Sequence, residues 1–238
     1  DTRQEWPRTT ISIARKWLTE GLEARCITRD LEWGIPVPRP GYEKKVFYVW
    51  FDAPIGYIGI SMEWARARGE PRAWERFWKD PETILVQTMA KDNIPFHTIT
   101  WPMVMMGADD GFVLAHMIKG FQWLNYEGGK FSTSENRGIF MDDALELFEP
   151  DFWRYYLLKI APEKGDTDFL WRGFQEAVNQ DLANVLGNFV NRSVVFLKKV
   201  GGTVGAPTGE MRDRAGHWAD EIAACLSRYR FQLAARAL

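Results

Sequence analysis

The sequence predicts an α/β protein whose first half contains strands and helices in alternation and whose second half is mainly helical. Two observations support this fold class. Short runs rich in aromatic and β-branched residues alternate with helical patterns as far as residue 116. A polar stretch from Leu124 to Gly138 then separates this part from long helical patterns. Because strands that alternate with helices favour a parallel sheet, we expect a parallel-sheet domain followed by an α-helical domain.

Periodicity and chain-breaking residues give the elements of the first half. Apolar residues between Ile11 and Arg25 have the spacing of an amphipathic helix, and the run from Val46 to Phe51 predicts a buried strand. The other elements predicted in this half are helices over about 57–68 and 72–79, a strand over 83–89, a helix over 94–106 interrupted near Pro102, and a strand over 112–116.

In the second half, Pro150 opens a predicted helix that continues through Leu158. Apolar side chains at helical spacing then predict one long helix over 174–200, which the glycine pair at 201–202 ends. Polar residues form a stripe opposite its apolar face: Asp181, Asn184, Asn188, Asn191 and Arg192. Asn188 and Arg192 are one turn apart, so their side chains project together.

Composition narrows the classes of protein to which this chain can belong. With 46% hydrophobic and 26% charged residues, its 238 residues suit a folded globular chain rather than a disordered one. No stretch reaches the roughly 20 apolar residues needed to cross a bilayer, and the N-terminus lacks a secretory signal pattern. We therefore expect a cytoplasmic location and no membrane partner. The net charge of -2 argues against a uniformly basic coat for nucleic acid, although it leaves local patches open.

The cysteines predict neither a disulfide framework nor a metal site. Cys26 and Cys225 are the two cysteines of the chain, and neither has CxxC spacing or a neighbouring histidine. We expect both to be buried as small apolar side chains.

The residues from Gly128 to Ser134 are the best candidates for chemistry. Two glycines are followed by Lys130 and then by hydroxyl side chains that include Ser132 and Thr133. A flexible backbone, a cation and several donors together suit the oxygens of a phosphate group, although the spacing differs from that of a Walker loop. From these residues alone, a solvated surface hairpin is the favoured alternative, because short motifs recur by chance.

Several segments occur here in the same order as in a known family. The segment Lys130–Ser134 is similar to the KMSKS signature of class I aminoacyl-tRNA synthetases, and Leu124–Glu127 is similar to its lead-in in archaeal methionyl enzymes. The other matching segments are 47–57, 91–97 with 101–102, 154–156, 166–169 and 179–192. The chain thus resembles the methionyl-tRNA synthetases of the archaeal and eukaryotic type, over nearly its whole length to about residue 200.

The resemblance implies a fold and a set of partners. It implies the second half of a class I synthetase Rossmann-type parallel-sheet domain, followed by an α-helical anticodon-binding domain. Residues 1–123 would belong to the Rossmann-type catalytic domain, residues 124–172 to the signature loop and stem-contact region, and residues 173–238 to the start of the anticodon-binding domain. Methionine, ATP with Mg²⁺, and tRNA(Met) would be the partners.

The resemblance also assigns roles to residues. The methionine pocket would be lined by Trp50, Ala53, Pro54, Tyr57, Asn93 and His97, with Arg29 near the amino acid and ATP. The ATP-binding residues would be Asp92 at the ribose, Leu124 and Lys130. Lys130, Ser132 and Thr133 would act in catalysis, and Asn188 and Arg192 would contact anticodon bases. From the residues alone, Trp50 and His97 are core side chains and the polar stripe is an ordinary solvent-facing surface.

The chain departs from the family pattern in two places. Thr133 stands where the common signature has its second lysine, so one phosphate-facing charge is absent, and Arg137 is a candidate substitute. No His-x-Gly-His sequence occurs, because the only histidines are His97, His116 and His217. We therefore interpret the chain as a fragment that needs the N-terminal half of the catalytic domain, on the same or another chain, for activity. Zinc is expected only in the upstream insertion of the family, and residues 1–8 resemble the end of that insertion.

Two alternatives stay open at this point. A class I synthetase for leucine, valine or isoleucine shares the phosphate loop, although Pro54 and Tyr57 argue against it because those relatives carry a different segment there. A non-catalytic tRNA-binding module, working without chemistry, would also lack the N-terminal half. Binding of RNA without binding of methionine would distinguish such a module.

Overall fold

The computed structural model describes residues 6–202 and 204–238. These residues form two compact units, of which the first ends at Phe121 and the second begins at Gln122. The first unit combines short strands with helices and the second is mainly helical, so the predicted α/β class is confirmed. The segment 1–8, predicted to end an upstream insertion, lies largely outside the described residues. None of the described helices is long and apolar enough to cross a membrane.

The first unit contains two pairs of strands. Its elements in chain order are α1 (Arg8–Glu20), β1 (Thr28–Arg29), β2 (Val46–Phe47), α2 (Val49–Asp52), α3 (Ile55–Ala67), α4 (Glu75–Trp78), β3 (Val86–Ala90), α5 (Trp101–Ala108) and β4 (Met117–Phe121). A 3₁₀ turn (Lys91–Asn93) and a π-helical turn (Phe96–Thr100) lead from β3 into α5. The strands β1 and β2 are antiparallel, whereas β3 and β4 are parallel, as predicted for this half.

A buried hydroxyl group fixes α1 against β4. The side chain of Thr10 is completely buried, and its Oγ1 donates to the carbonyl oxygen of Ile118 at 3.0 Å. Thr10 Oγ1 also accepts a hydrogen bond from the backbone N–H of Gly120 at 3.1 Å. A polar group at this depth is tolerated because both of its hydrogen-bonding functions are satisfied.

The helices of the first unit pack around an aromatic cluster. Trp78, Trp101, Ile58 and Met105 form this buried core, which joins α3, α4 and α5. The indole N–H of Trp78 donates to the Ser61 hydroxyl at 2.9 Å, so this buried ring also has its polar atom satisfied.

The second unit begins with a strand and continues into helices. Its elements in chain order are β5 (Leu124–Tyr126), α6 (Met141–Leu147), α7 (Pro150–Lys159), β6 (Thr167–Phe169), α8 (Trp171–Glu176), a π-helical stretch (Ala177–Gly187), α9 (Asn188–Lys199), α10 (Gly209–Ser227) and α11 (Phe231–Ala237). The strands β5 and β6 are parallel, with Leu124 opposite Thr167 and Tyr126 opposite Phe169.

Aromatic rings form the core of the second unit. Trp153 stacks on Phe174 with ring centroids 4.5 Å apart, and Phe169 lies edge-on to Tyr156 at 5.3 Å. The indole N–H of Trp153 donates to the carbonyl oxygen of Ala144 at 2.8 Å. This core joins α6, α7 and α8 to β6 and supports the loop that follows β5.

Two predicted strands are wrong. The strand predicted over 46–51 stops at Phe47, because Val49 begins a helical turn. In this turn the N–H of Ala53 donates to the carbonyl oxygen of Val49 at 2.8 Å. The strand predicted over 112–116 is an irregular connection, and the strand itself is β4, further along the chain. Packing overrides intrinsic β-propensity in both places.

The helices agree better with the sequence. The helix predicted over 11–25 ends at Glu20, because Gly21 has a φ of 91°. Pro102 lies within a continuous helical run over 94–108, and the π-helical turn Phe96–Thr100 directly before α5 shows that the regular hydrogen-bonding pattern is interrupted near the proline, as predicted. The helix after Pro150 and the end of the long helix at Gly201 are confirmed. The centre of that long helix is π-helical.

The cysteines are not buried as expected. Cys26 is exposed and Cys225 is partly exposed. The Sγ of Cys26 lies 3.3 Å from the Thr28 hydroxyl and 3.2 Å from the Thr28 carbonyl oxygen. The contact with the hydroxyl lowers the pKa of the Cys26 thiol. A local hydrogen-bonding turn therefore replaces apolar burial at this position.

Candidate functional site

His97 is the centre of a hydrogen-bonded group in the first unit. Its side chain is 3% exposed, and its Nδ1 lies 2.9 Å from the carbonyl oxygen of Asn93. Because a carbonyl can only accept, Nδ1 carries the proton and donates it there. Nε2 is then the acceptor for the hydroxyl of Tyr57 at 3.0 Å. Burial lowers the pKa of His97, with the Asn93 carbonyl acting in the opposite direction, which favours the neutral ring.

The corner between α2 and α3 brings the other predicted pocket residues close to the π-helical turn. Trp50 stacks on Phe96 with ring centroids 5.3 Å apart and remains 36% exposed. Pro54 is buried, Ala53 is exposed, and the N–H of Tyr57 donates to the carbonyl oxygen of Pro54 at 3.2 Å. Partly open aromatic faces beside a hydroxyl oxygen that is left as an acceptor suit an apolar ligand that also carries a hydrogen-bond donor.

Arg29 and Asp92 lie outside this group. The Nη1 of Arg29 donates to the carbonyl oxygens of Cys26 at 2.9 Å and Thr28 at 2.8 Å, and its guanidinium lies 3.9 Å from the ring centre of Tyr48. These contacts join Arg29 to its own segment rather than to His97. Asp92 is exposed in the 3₁₀ turn after β3, where its carboxylate is accessible to a ligand.

Lys130 lies in a tight hairpin that follows β5. Tyr126 and Gly129 exchange two backbone hydrogen bonds, of 2.7 and 3.0 Å, and the N–H of Gly128 donates to Asp168 Oδ1 at 2.9 Å. The Nζ of exposed Lys130 lies 5.2 Å from the ring centre of Trp123. The side chain of Leu124 packs against the aromatic core, and its backbone lies in the β5–β6 ladder opposite Thr167.

The hydroxyl residues of this hairpin occupy its far end. Ser132 Oγ lies 3.3 Å from Ser134 Oγ and accepts from the N–H of Glu135 at 3.3 Å. Thr133 is exposed at the turn, so the position where the common signature has a second lysine faces solvent. Arg137, the candidate substitute, donates from Nη2 to the carbonyl oxygens of Tyr126 at 2.8 Å and Glu127 at 3.0 Å.

The long helix presents part of its predicted polar stripe to solvent. Asn188 and Arg192 are exposed one turn apart on α9. Asp181 does not belong to the open stripe, because its Oδ2 accepts from the Tyr155 hydroxyl at 2.9 Å and from the ammonium of Lys159. The Lys159 contact holds the pKa of Asp181 below its ordinary value, and burial raises the pKa of Tyr155 to about 12.

Metal-binding side chains are not grouped within residues 6–202 and 204–238. In these ranges no cluster of three or more histidine, cysteine, aspartate or glutamate side chains could hold an ion. The residues present therefore do not fit a zinc site of tetrahedral type.

Comparison with known families supports the class I synthetase family that the sequence resembles, but not its archaeal and eukaryotic type. The family model described as tRNA synthetases class I (M) matches residues 1–194. The chain belongs to this family. The match ends within α9, whereas the alignment with one curated relative spans the whole chain.

Curated relatives of this family come from several bacteria. Methionine–tRNA ligase 1 of Acaryochloris marina is 47% identical over 246 residues, which cover 100% of this chain and 44% of the relative. The enzyme of Streptomyces avermitilis is 48% identical, with 95% of this chain and 41% of the relative covered. That of Paracoccus denitrificans is 52% identical over 86% of this chain and 38% of its own length. The chain thus spans less than half the length of these synthetases.

A solved synthetase has the same fold. Mycobacterium tuberculosis methionyl-tRNA synthetase in complex with methionyl-adenylate superimposes with a TM-score of 0.74 and 25% identity. The superposition covers 97% of this chain and 45% of that one. The class I synthetase fold expected from the sequence is therefore confirmed.

Sequence reasoning missed two features of the candidate site. The Asn93 carbonyl that fixes the His97 tautomer comes from the backbone, and a backbone contact leaves no signature in residue type. The direction of the Arg137 side chain into the hairpin was also missed. The glycine at position 129 was a signal for it, because a glycine can leave space for a neighbouring side chain.

Proposed function

We propose that this chain forms part of a methionine–tRNA ligase, which activates methionine with ATP to methionyl-adenylate and transfers the methionyl group to tRNA(Met). The family membership supports this proposal, and so does the bound methionyl-adenylate of the mycobacterial relative. The observation that carries it is the group formed by Tyr57, His97 and Asn93, because it combines a buried neutral imidazole with an oriented hydroxyl.

The methionine pocket would consist of this group together with Trp50, Ala53 and Pro54. Aromatic faces attract a thioether sulfur and bury its methyl group. The Tyr57 hydroxyl donates its hydrogen bond to His97, so its oxygen is left to accept a hydrogen bond from a ligand. Arg29 would act near the carboxylate only after releasing its present carbonyl partners.

Two substitution steps make up the reaction. In the first, a methionine carboxylate oxygen forms a bond to the α-phosphorus of ATP, the bond to the β-phosphate oxygen breaks, and pyrophosphate leaves. In the second, a hydroxyl of the terminal tRNA ribose attacks the carbonyl carbon and AMP leaves. Charge develops on phosphate oxygens in the first step, so a fixed cation such as Lys130 lowers the barrier. Ser132 and Thr133 would donate to the same oxygens, while Asp92 and Leu124 would hold the nucleotide.

The remaining partners follow from the same proposal. Mg²⁺ would enter with ATP, zinc would belong to an upstream insertion, and the protein would act in the cytoplasm. The N-terminal half of the catalytic domain would supply the rest of the active site. Residues 1–123 would be catalytic, 124–172 would contact the stem, and 173–238 would begin the anticodon-binding domain, in which Asn188 and Arg192 contact bases. The archaeal and eukaryotic type stays a prediction, because the relatives described above are bacterial.

A methionine-dependent ATP–pyrophosphate exchange assay tests the proposal. The chain would be assayed alone and after addition of the N-terminal half cloned from the same source. We expect exchange only in the recombined sample, and we expect Lys130→Gln to abolish most of it. Exchange that depends on another amino acid would refute the assignment of methionine.

A non-catalytic tRNA-binding module is the competing outcome. It would show no exchange in either sample and would still bind an anticodon stem-loop through exposed residues such as Asn188 and Arg192. A titration with the stem-loop, run beside the exchange assay, therefore separates the two functions.

A further inference from the structure

The hairpin from Gly128 to Gly138 carries the cation Lys130, and Arg137 stands near its end. A second cation in a phosphate-binding loop invites the interpretation that it also binds phosphate. The direction of the Arg137 side chain contradicts that interpretation. It is half-buried, and its guanidinium points back into the hairpin.

The guanidinium of Arg137 links the two ends of the hairpin. Its Nη2 donates to the carbonyl oxygens of Tyr126 at 2.8 Å and Glu127 at 3.0 Å, both before the hairpin begins. Its carbon Cζ lies 5.8 Å from the centre of the Tyr126 ring. A planar guanidinium can donate to two adjacent acceptors and cover a ring at the same time, which a lysine ammonium cannot.

The backbone of Arg137 closes the far turn of the hairpin as well. The N–H of Arg137 donates to the carbonyl oxygen of Ser132 at 2.8 Å. In return, the N–H of Ser132 donates to the carbonyl oxygen of Arg137 at 2.9 Å. Tyr126 and Gly129 exchange a similar pair of bonds at the near turn. Lys130 lies between these two closed turns, and Arg137 belongs to one and is hydrogen-bonded to the other.

Gly129 leaves the space that the guanidinium fills. A Cβ atom at this position would lie 2.6 Å from Arg137 Nη2 and 3.0 Å from its Cζ. A Cβ contact of 2.6 Å is essentially never observed, so a residue with a Cβ atom at position 129 would displace the flexible end of the Arg137 side chain. The φ angle of Gly129 is not in the left-handed region, which means that space rather than backbone conformation requires the glycine.

We propose that Arg137 is a positioning residue for Lys130: it clamps the backbone on both sides of the lysine and does not serve as the missing phosphate-binding cation. This inference rests on the proposed function only for its effect on catalysis. The clamp itself is a property of the hairpin and can be tested without any activity.

The first test measures cleavage of the hairpin by endoproteinase Lys-C, which cuts after lysine. The intact chain and its Arg137→Ala and Gly129→Ala variants would be digested, and cleavage after Lys130 followed by mass spectrometry. We expect at least a threefold faster cut in both variants, because proteolysis follows local opening. Arg172→Ala and Gly165→Ala are the matched controls, since Arg172 is exposed and a Cβ at Gly165 meets open space. An unchanged rate after Lys130 in either hairpin variant overturns the clamp.

The second test measures pyrophosphate exchange in the chain recombined with its N-terminal half. Misplacing a catalytic group by about 1 Å lowers turnover by up to two orders of magnitude, so kcat should fall roughly tenfold or more in both variants. The KM for ATP should change less than twofold, because the lysine acts on charge that develops in the transition state. Arg137→Lys should be as slow as Arg137→Ala, and the double variant with Gly129→Ala no slower than either single variant.

The outcomes separate the clamp from the enzyme assignment. Full turnover in Arg137→Lys, or a raised KM for ATP in Arg137→Ala that lysine restores, would identify a phosphate-binding cation and overturn the inference. Absence of exchange in the unaltered recombined protein would instead count against the proposed function, while the Lys-C experiment still decides whether Arg137 holds the hairpin.

Discussion

The hydroxyl of Tyr57 lies 3.0 Å from Nε2 of His97, a side chain that is itself 3% exposed. His97 is held from the other side by the Asn93 carbonyl, so the imidazole cannot turn to offer a proton to Tyr57. The tyrosine is therefore the donor, and its hydroxyl is oriented before any ligand arrives. Such preorganisation reduces the entropy that binding must offset.

Tyr57→Phe tests the proposed role of this hydroxyl in methionine recognition. The variant keeps the ring but leaves buried His97 Nε2 without its donor, at a cost of about 1–2 kcal/mol. If that orientation serves the ligand, the KM for methionine in the recombined exchange assay should rise roughly tenfold, with the KM for ATP unchanged. Tyr42→Phe, in a loop of the same unit, is the control. A methionine KM within twofold of the unaltered protein would remove Tyr57 from the pocket.

The pH dependence of the first unit should reflect His97. Burial holds its folded pKa below the unfolded value of about 6.5, so the unfolded chain binds the proton more tightly. Stability is then fully present above about pH 6.5 and declines as the pH falls towards the folded pKa. Hydrogen exchange of the peptide spanning 91–106 should accelerate below pH 6.5, after correction for intrinsic exchange rates, and His97→Gln should lose this dependence. His217→Gln, at an exposed position on α10, should retain it.

The sequence predicted the general fold because most elements have the hydrophobic periodicity of their helix or strand. The prediction failed where buried positions are occupied by residues that are not apolar. The strand β4 has the sequence Met-Ile-Lys-Gly-Phe, in which Lys119 and Gly120 break the apolar pattern, yet both are buried. Lys119 places its ammonium 5.1 Å from the ring centre of Phe121, and the glycine admits Ile94. Neither arrangement could be predicted from residue type, so the strand was placed five residues too early.

The candidate site was predicted to an unequal degree. The hairpin around Lys130 was recognisable from its composition, whereas the pocket residues came from the family resemblance alone. Burial also separates Asp181 from its neighbours on the polar stripe, because the long helix packs on α7 at that turn. Periodicity gives the face of a helix but does not say which turns another element covers.

Asp181→Asn tests what that covered turn contributes to stability. The variant keeps the shape but removes the charge that holds Lys159, so the free energy of unfolding should fall by about 1 kcal/mol at pH 7. The folded pKa of Asp181 lies below its ordinary value, so this stabilisation is present above about pH 4 and is lost as the pH falls through the folded pKa. Urea titrations at pH 7 and pH 3 should show the difference narrowing. Glu176→Gln, which breaks an exposed ion pair with Arg172, should cost less than half as much.

Gly120→Ala tests the fit between α1, β4 and the turn after β3. A Cβ at this position would collide with the side chain of Ile94 and would lie 2.9 Å from Thr10 Oγ1. Backbone strain plays no part, because Gly120 does not have a positive φ angle. Overpacking of this kind costs about 1–3 kcal/mol, so urea unfolding should show a loss in that range.

Two further substitutions test the explanation for Gly120→Ala: a control at another glycine and a substitution that should restore part of the stability. Gly107→Ala, on α5, meets open space and replaces a helical glycine, so it should raise stability by up to about 1 kcal/mol. Ile94→Val removes the methyl group that collides with the new Cβ. In the Gly120→Ala background it should therefore recover part of the loss, although alone it destabilises by about 1 kcal/mol. Losses that simply add in the double variant would show that Ile94 is not what excludes a side chain from position 120.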